Sequence, residues 1–300
     1  MNRVLEAAWA GSVFYARKWR AAGLPAAPLA SLDDLARLPF VTRAEFVADQ
    51  AAVPPLGTKV TCPPSALVRF HRSSGTTQAP LLWADSAESW RWVTRGSASL
   101  WRLAGVGGAD RLLLLLNFGA ASGPCIIHAG ACRLGCACWP LGTVETEGQL
   151  CGLTAFKPTV LAGTPAGLGA LAERIRAEGR PPRHSGVNKL ILCGPHEARQ
   201  RTALQQIWGA ECFDRYGLTE AGSVAAECEA HPGGLHVLDD RFIVESIHPT
   251  TGAPVPDGEP GELVLTTLGR LPCPIIRYRT GDRVRLVRNH ACACGRRGSL

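Results

Sequence analysis

The 300-residue sequence predicts an α/β fold: a parallel sheet flanked by helices, then a β-rich end in the form of a distorted β-barrel or a second small sheet. Three observations predict it. Short continuous apolar runs, the mark of strands buried on both faces, alternate with stretches of helical period between Leu112 and Trp208. After Gly217 the pattern changes to short alternating or β-branched runs separated by Pro/Gly turns such as Pro256-Asp257-Gly258. Hydrophobic residues make up 46% of the chain and charged residues 19%, enough to build a large buried core and to exclude general disorder.

The elements follow in order. Residues 1–60 read as a helical lead-in, with Leu32-Asp33-Asp34-Leu35 opening a short helix behind Ser31 as N-cap. Asp85-Ser86-Ala87-Glu88 has the form of a capping box ahead of a helix carrying Trp90, Val93, Ser97, Leu100 and Trp101 on one side, and Gly105 ends it. Leu112–Leu116, Thr159–Ala162 and Leu190–Cys193 are the buried strands of a 61–215 α/β region. Between the last two, Thr164 caps a helix that has Pro165 at its first position, Leu168, Leu171 and Ile175 on one face, and Gly179 as its stop. A further helix fits Glu197–Trp208. Strand and helix in alternation imply right-handed crossovers and parallel pairing. In the 216–300 region, Ile243–Ile247, Glu262–Thr267 and Arg283–Val287 read as strands.

Composition narrows the function. Net charge is +7, carried by 28 Arg and only Lys18, Lys59, Lys157 and Lys189. The Arg are scattered, which suits anionic small molecules and gives no basic stripe for nucleic acid. No run approaches the ~20 apolar residues of a membrane span. Glu6 and Arg17-Lys18 break any export signal, so a cytoplasmic chain with mostly reduced thiols is expected. Of the 12 Cys, eight (Cys62, Cys125, Cys132, Cys136, Cys138, Cys151, Cys193, Cys212) sit among apolar or small neighbours and read as core fillers.

Three motifs carry chemistry. Ser73-Ser74-Gly75-Thr76-Thr77, after His71, offers backbone and hydroxyl donors suited to a polyphosphate, and lacks the Gly-Lys-Ser/Thr ending of a Walker loop. In Tyr216-Gly217-Leu218-Thr219-Glu220 an aromatic beside a Gly can stack on a base, and the carboxylate can hold a magnesium ion. In Arg277-Tyr278-Arg279-Thr280-Gly281-Asp282, an Asp on a tight turn can accept two hydrogen bonds from a ribose diol. Taken singly, each fits a polar loop, a strand exit or a salt-bridged turn equally well.

In this order and at these separations the motifs resemble the adenylate-forming enzymes, and within them the phenylacetate–CoA ligase branch. Leu32–Phe40, Glu227-Cys228, Gly234-Leu235-His236, Pro256–Leu263 and Cys292-Ala293-Cys294-Gly295-Arg296 extend the resemblance along the chain. It implies the large N-terminal core of that superfamily, and ATP-dependent activation of a carboxylic acid, aryl or arylacetic, to an acyl-adenylate that passes to CoA. Ser73, Ser74, Gly75, Thr76 and Thr77 would then grip the phosphates. Tyr216, Gly217 and Leu218, with Gly194 and the segment to Glu197, would flank adenine. Thr76, Thr219 and Glu220 would organise Mg–ATP, with Asp282 on the ribose and Phe118, Ala121, Gly123 and His128 in the acid pocket. A homodimer is a further expectation.

The sequence departs from the branch in three places. Gln78-Ala79 stands where the phosphate loop usually has Gly-Lys. Ala121 replaces a pocket aromatic, which favours a bulkier acid than phenylacetate. The 300 residues include no lid domain with its distal lysine, since all four Lys precede Asp282. A truncated chain, a lid supplied from elsewhere, a weakly active nucleotide-binding or acyl-binding remnant, and an adenylating enzyme with an acceptor other than CoA are therefore the alternative expectations. Finally, Cys292-x-Cys294 with Cys228 and His236 supplies three thiolates and one imidazole, a tetrahedral set for a structural zinc. The resemblance points to the same four positions. His231 and His290 compete for the nitrogen place, and unrelated reduced thiols are the plain alternative.

Overall fold

The computed structural model describes residues 1–73, 79–142 and 146–300. Helices α1 (Asn2–Gly11) and α2 (Val13–Ala21) meet at Ser12, whose hydroxyl accepts the Tyr15 N–H and caps the second helix. They bury Val4, Leu5, Phe14, Tyr15 and Trp19. A single 3₁₀ turn, Asp33–Arg37, follows. Ser31 does not cap it: the Asp34 carboxylate instead accepts the N–H groups of Ala30 and Ser31. Strand β1 (Val41–Thr42) then enters helix α3 (Arg43–Ala52) through a capping box between Thr42 and Glu45.

Strands β2 (Leu67–Arg72) and β3 (Leu82–Ser86) form an antiparallel pair, and helix α4 (Ala87–Leu103) leaves β3 directly. Ser86 is its N-cap, accepting the Ser89 N–H. The expected Asp85–Glu88 box does not form, because Asp85 is fully buried in an ion pair with Arg270.

The main sheet is built as expected. Strand β4 (Arg111–Leu115), helix α5 (Ser122–Arg133), strand β5 (Ala137–Trp139), helix α6 (Thr146–Phe156), strand β6 (Val160–Gly163), helix α7 (Pro165–Ala177), strand β7 (Lys189–Leu192), helix α8 (Ala198–Trp208) and strand β8 (Glu211–Leu218) alternate along the chain. Strands β9 (Gly222–Cys228) and β10 (His231–Val237) then add antiparallel to give the order β10-β9-β8-β7-β6-β4-β5. Leu112 and Leu114 pack into one core cluster and Leu113 and Leu115 into another, so β4 is buried on both faces. Each such leucine removed from water contributes about 1.5–3 kcal/mol. Thr164 caps α7 with its hydroxyl on the Gly167 N–H, as its sequence predicts.

The β-rich end takes the second of its two expected forms. Strands β11 (Phe242–Ile247), β12 (Pro260–Thr267) and β13 (Tyr278–Arg285) join β1 in a four-stranded sheet ordered β1-β13-β12-β11. Here the strand expected over Arg283–Val287 starts five residues earlier, so Tyr278 to Asp282 lie within a strand, and the expected tight turn takes the form of a bulge between Arg279 and Arg283 with Gly281 at φ +79°. The polar run tolerates this because β12 offers it a charged partner: Arg279 donates to Glu262. A two-stranded pair, β14 (His290–Ala291) with β15 (Arg297–Gly298), closes the described chain. Of the eight cysteines expected in the core, only Cys136 and Cys212 are buried, and Cys132 and Cys151 are exposed. Among the described residues no helix is long and apolar enough to cross a membrane.

Candidate functional site

The C-terminal ends of β7 and β8 and the start of α5 enclose a cleft of about 240 Å³, bordered by Gly123, Gly194, Tyr216, Gly217, Leu218 and Thr219. Openings of this kind at strand ends suit small ligands. Gly217 cannot carry a side chain, since a Cβ there would lie 2.5 Å from the Gly222 carbonyl oxygen. Gly194 holds φ at +109°, a conformation that L side chains rarely adopt.

Two of the three motifs meet at the Tyr216 side chain. The Tyr216 hydroxyl donates to Asp282 Oδ2 at 2.5 Å, joining β8 of the large sheet to β13 of the small one. Burial first, and the carboxylate second, push the Tyr216 phenol well above its ordinary range, so it stays protonated and a donor.

Thr219 and Glu220 form the turn after β8, and buried Arg270 holds their backbone: its guanidinium donates to the Thr219 carbonyl at 2.6 Å and the Glu220 carbonyl at 3.1 Å. The Glu220 side chain is almost fully buried and accepts from Arg43 Nη1 at 2.7 Å. Arg43 Nη2 donates to Ser73 Oγ at 2.8 Å and to the Ala79 carbonyl at 3.4 Å. One guanidinium thus ties the magnesium-site candidate to both flanks of the Ser/Thr/Gly motif. Sequence reasoning missed Arg43. The Thr42/Glu45 box fixes it in the first turn of α3, but nothing local says what it reaches. Ser74, Gly75, Thr76 and Thr77 lie outside the described residues.

Glu197 is not at the cleft. It is exposed at the start of α8, pairs with Arg199, and its N–H donates to Gln200. His196 turns inward instead, with Nε2 3.1 Å from Asp214 and Nδ1 3.1 Å from the Gly194 carbonyl. In the acid-pocket tract, Phe118 and His128 pack edge to face at 5.9 Å, and Ala121 is the N-cap residue of α5. Burial lowers the His128 pKa, which favours the neutral imidazole. Of the four positions only Gly123 borders the cleft itself.

The metal-ligand candidates come together. Cys228 ends β9, His236 lies in β10, and Cys292 and Cys294 lie in the turn between β14 and β15; their ligand atoms all lie within 4.8 Å of one another. Cys228 Sγ is 3.7 Å from Cys292 Sγ, and Cys294 Sγ is 3.5 Å from His236 Nε2. Sulfur and nitrogen on one tetrahedral zinc, with bonds of about 2.3 and 2.0 Å, stand about 3.5–3.8 Å apart. These two spacings match that geometry, and with the other pairs within 4.8 Å the set suits such an ion. Burial, then the Cys292 thiol, push Cys228 up to about 11, whereas the Cys294 backbone N–H pulls Cys292 down. Burial, then Arg296, lowers the His236 pKa and leaves a nitrogen lone pair free for a metal.

Residues 30–269 match the family model described as AMP-binding enzyme. The chain is 32% identical to a phenylacetate–coenzyme A ligase of Pseudomonas putida, over 99% of this chain and 67% of that protein. It is 30% identical to one from Escherichia coli, over 94% of this chain and 64% of the relative. A 2-hydroxyisobutyryl-CoA ligase solved in complex with 2-HIB-AMP and CoA superposes with a TM-score of 0.93 at 28% identity, covering 99% of this chain and 66% of that one. The chain thus spans about two thirds of the length of these relatives.

Proposed function

The chain belongs to the AMP-binding enzyme family, on its phenylacetate–CoA ligase branch, and from that premise we propose that it activates a small carboxylic acid with ATP and passes the acyl group to CoA. The carboxylate oxygen attacks the α-phosphorus, and the bond to pyrophosphate breaks as the acyl–phosphate bond forms. The CoA sulfur then takes the acyl carbon and AMP leaves. A carboxylate is already a nucleophile, so the work of the site is positioning and charge neutralisation.

In this reading Tyr216 stacks on adenine over the small residues Gly194 and Gly217. Asp282 accepts the ribose hydroxyls beside its bond from the phenol. Thr219, Thr76 and Glu220 direct Mg–ATP, and Ser73 to Thr77 line the phosphates. Arg43, already on Ser73 and Glu220, adds a cation where Gln78-Ala79 lack one. Phe118, Ala121, Gly123 and His128 bound the acid. The zinc at Cys228, His236, Cys292 and Cys294 pins the chain's last strands to the main sheet and takes no part in chemistry. A cytoplasmic setting with reduced thiols, and a homodimer, belong to the same proposal.

The Tyr216–Asp282 bond is the observation that carries the reading, because it joins the base and ribose motifs directly. Acid identity stays open between arylacetic or bulkier aryl acids, in line with the curated relatives and with Ala121, and short hydroxy acids, as in the superposed ligase. ATP–pyrophosphate exchange over both acid classes tests the reading. Exchange stimulated by one class is expected. ATP binding with no exchange for any acid points to the nucleotide-binding alternative, and no ATP binding overturns the whole reading.

A further inference from the structure

Beside the four-ligand cluster lie two histidines that it does not use. His231 opens β10 and His290 opens β14, and with Cys292 they form a second group whose ligand atoms also lie within 4.8 Å of one another. The two rings are 5.2 Å apart, and His290 is 6.5 Å from the His236 ring. His290 Nε2 is wholly buried without a hydrogen-bond partner. A buried ring nitrogen with nothing to bond to carries a desolvation penalty. A metal bond would remove it. Gly234 makes the arrangement possible: a Cβ at that position would lie 2.2 Å from the His231 ring, so only glycine lets the ring lie over the strand.

We propose that His231, His290 and Cys292 hold a second divalent ion of the zinc and cobalt class, with the Cys292 thiolate bridging it to the ion held by Cys228, His236 and Cys294. The inference rests on the first cluster being a metal site and goes beyond it. Three thiolates and a neutral imidazole on one divalent ion leave a net negative charge, and a thiolate has a further lone pair to share. A second cation is therefore drawn to Cys292 in particular. Imidazole and thiolate donors select borderline ions over magnesium or calcium. The four-ligand ion is closed, whereas the second has three protein ligands and leaves one position to water. His231, His290 and Cys292 are each only partly covered, so this ion faces solvent exchange.

The test is metal stoichiometry on untagged, chelator-stripped protein titrated with Zn²⁺ and, separately, with Co²⁺. Metal per chain is read by mass spectrometry after removal of excess, and release is followed with a chromophoric chelator. Two ions per chain are expected, one released at least tenfold faster than the other. His231→Ala/His290→Ala should hold one ion, keep the sulfur-to-cobalt absorption of the four-ligand site and melt close to the parent. Should the double variant fold poorly, His290→Ala alone should still lose the fast-released ion. One slowly released ion in the parent, or two in the folded double variant, overturns the second site and leaves the first standing. No ion at all in the parent overturns both.

Discussion

At the residue scale, the site depends on side chains that touch more than one motif. Asp282 accepts from Tyr216 and is the candidate ribose acceptor, so two roles must be separated. Asp282→Ala is expected to weaken AMP binding by roughly 2–4 kcal/mol, the worth of two charge-assisted hydrogen bonds. Tyr216→Phe removes only the phenol donor and should cost about 1 kcal/mol. Calorimetric titration of AMP into both variants decides the matter. Equal losses would mean that Asp282 acts only by holding Tyr216. Arg43 admits a similar test. Arg43→Ala leaves Glu220 buried without its cation, and ATP affinity should fall about tenfold or more while AMP affinity changes little, since AMP lacks the β- and γ-phosphates. Arg43→Lys should recover part of it. Unchanged ATP binding in the alanine variant would confine Arg43 to a structural role.

At the element scale, the parts legible in the sequence are those whose signal is local. Thr164 with Pro165 marks the start of α7, and runs such as Leu112–Leu115 mark strands because burial on both faces leaves no room for polar residues. Hidden parts are those decided by a distant partner. Asp85 looks like a cap until Arg270, 185 residues away, takes its carboxylate. Tyr278–Asp282 look like a turn until Glu262 on β12 pairs with Arg279. Glu197 and His196 cannot be ranked without knowing which side of α8 faces β8. The grouping of Cys228, His236, Cys292 and Cys294 was legible because thiolate and imidazole chemistry is narrow even where, as for His236 and Cys294, 58 residues intervene. The Asp85–Arg270 pair also yields a pH prediction. Burial alone would raise the Asp85 pKa, but the charge and hydrogen bonds of Arg270 outweigh it and hold the carboxyl below its ordinary 3.8. A depressed pKa means stability present above that ordinary value and lost as pH falls through the folded one. Asp85→Asn, which strands a buried guanidinium, should cost about 3–5 kcal/mol at neutral pH. In urea melts the gap between parent and variant should narrow in acid; a gap that stays constant below pH 3.8 would mean that the pair's charge contributes nothing.

At the scale of the molecule, the question is what the 300 residues can do by themselves. The cleft, the Tyr216–Asp282 tie and the Arg43–Glu220 pair are internal to them. A mobile ammonium at the reacting phosphate is not evident among the described residues. Lys18 pairs with Glu45, Lys189 with Glu229, Lys59 is buried on the Leu56 carbonyl, and no lysine borders the cleft. Such a cation acts as charge develops on the α-phosphate, so its lack should slow the chemical step more than it weakens binding. We expect residues 1–300 alone to bind ATP and AMP but to adenylate about 100- to 1000-fold more slowly than full-length relatives, the usual loss for one electrostatic contact. Fusing the remaining third of the Pseudomonas putida relative behind Arg296 should then raise kcat while leaving the ATP Kd nearly unchanged. The measurement is single-turnover adenylation with and without the fusion. A rate near 10 per second for residues 1–300 alone, typical of complete enzymes, would sink the argument. Arg43 would then be the first residue to examine as the source of the missing charge, since its guanidinium already stands between Ser73 and Glu220.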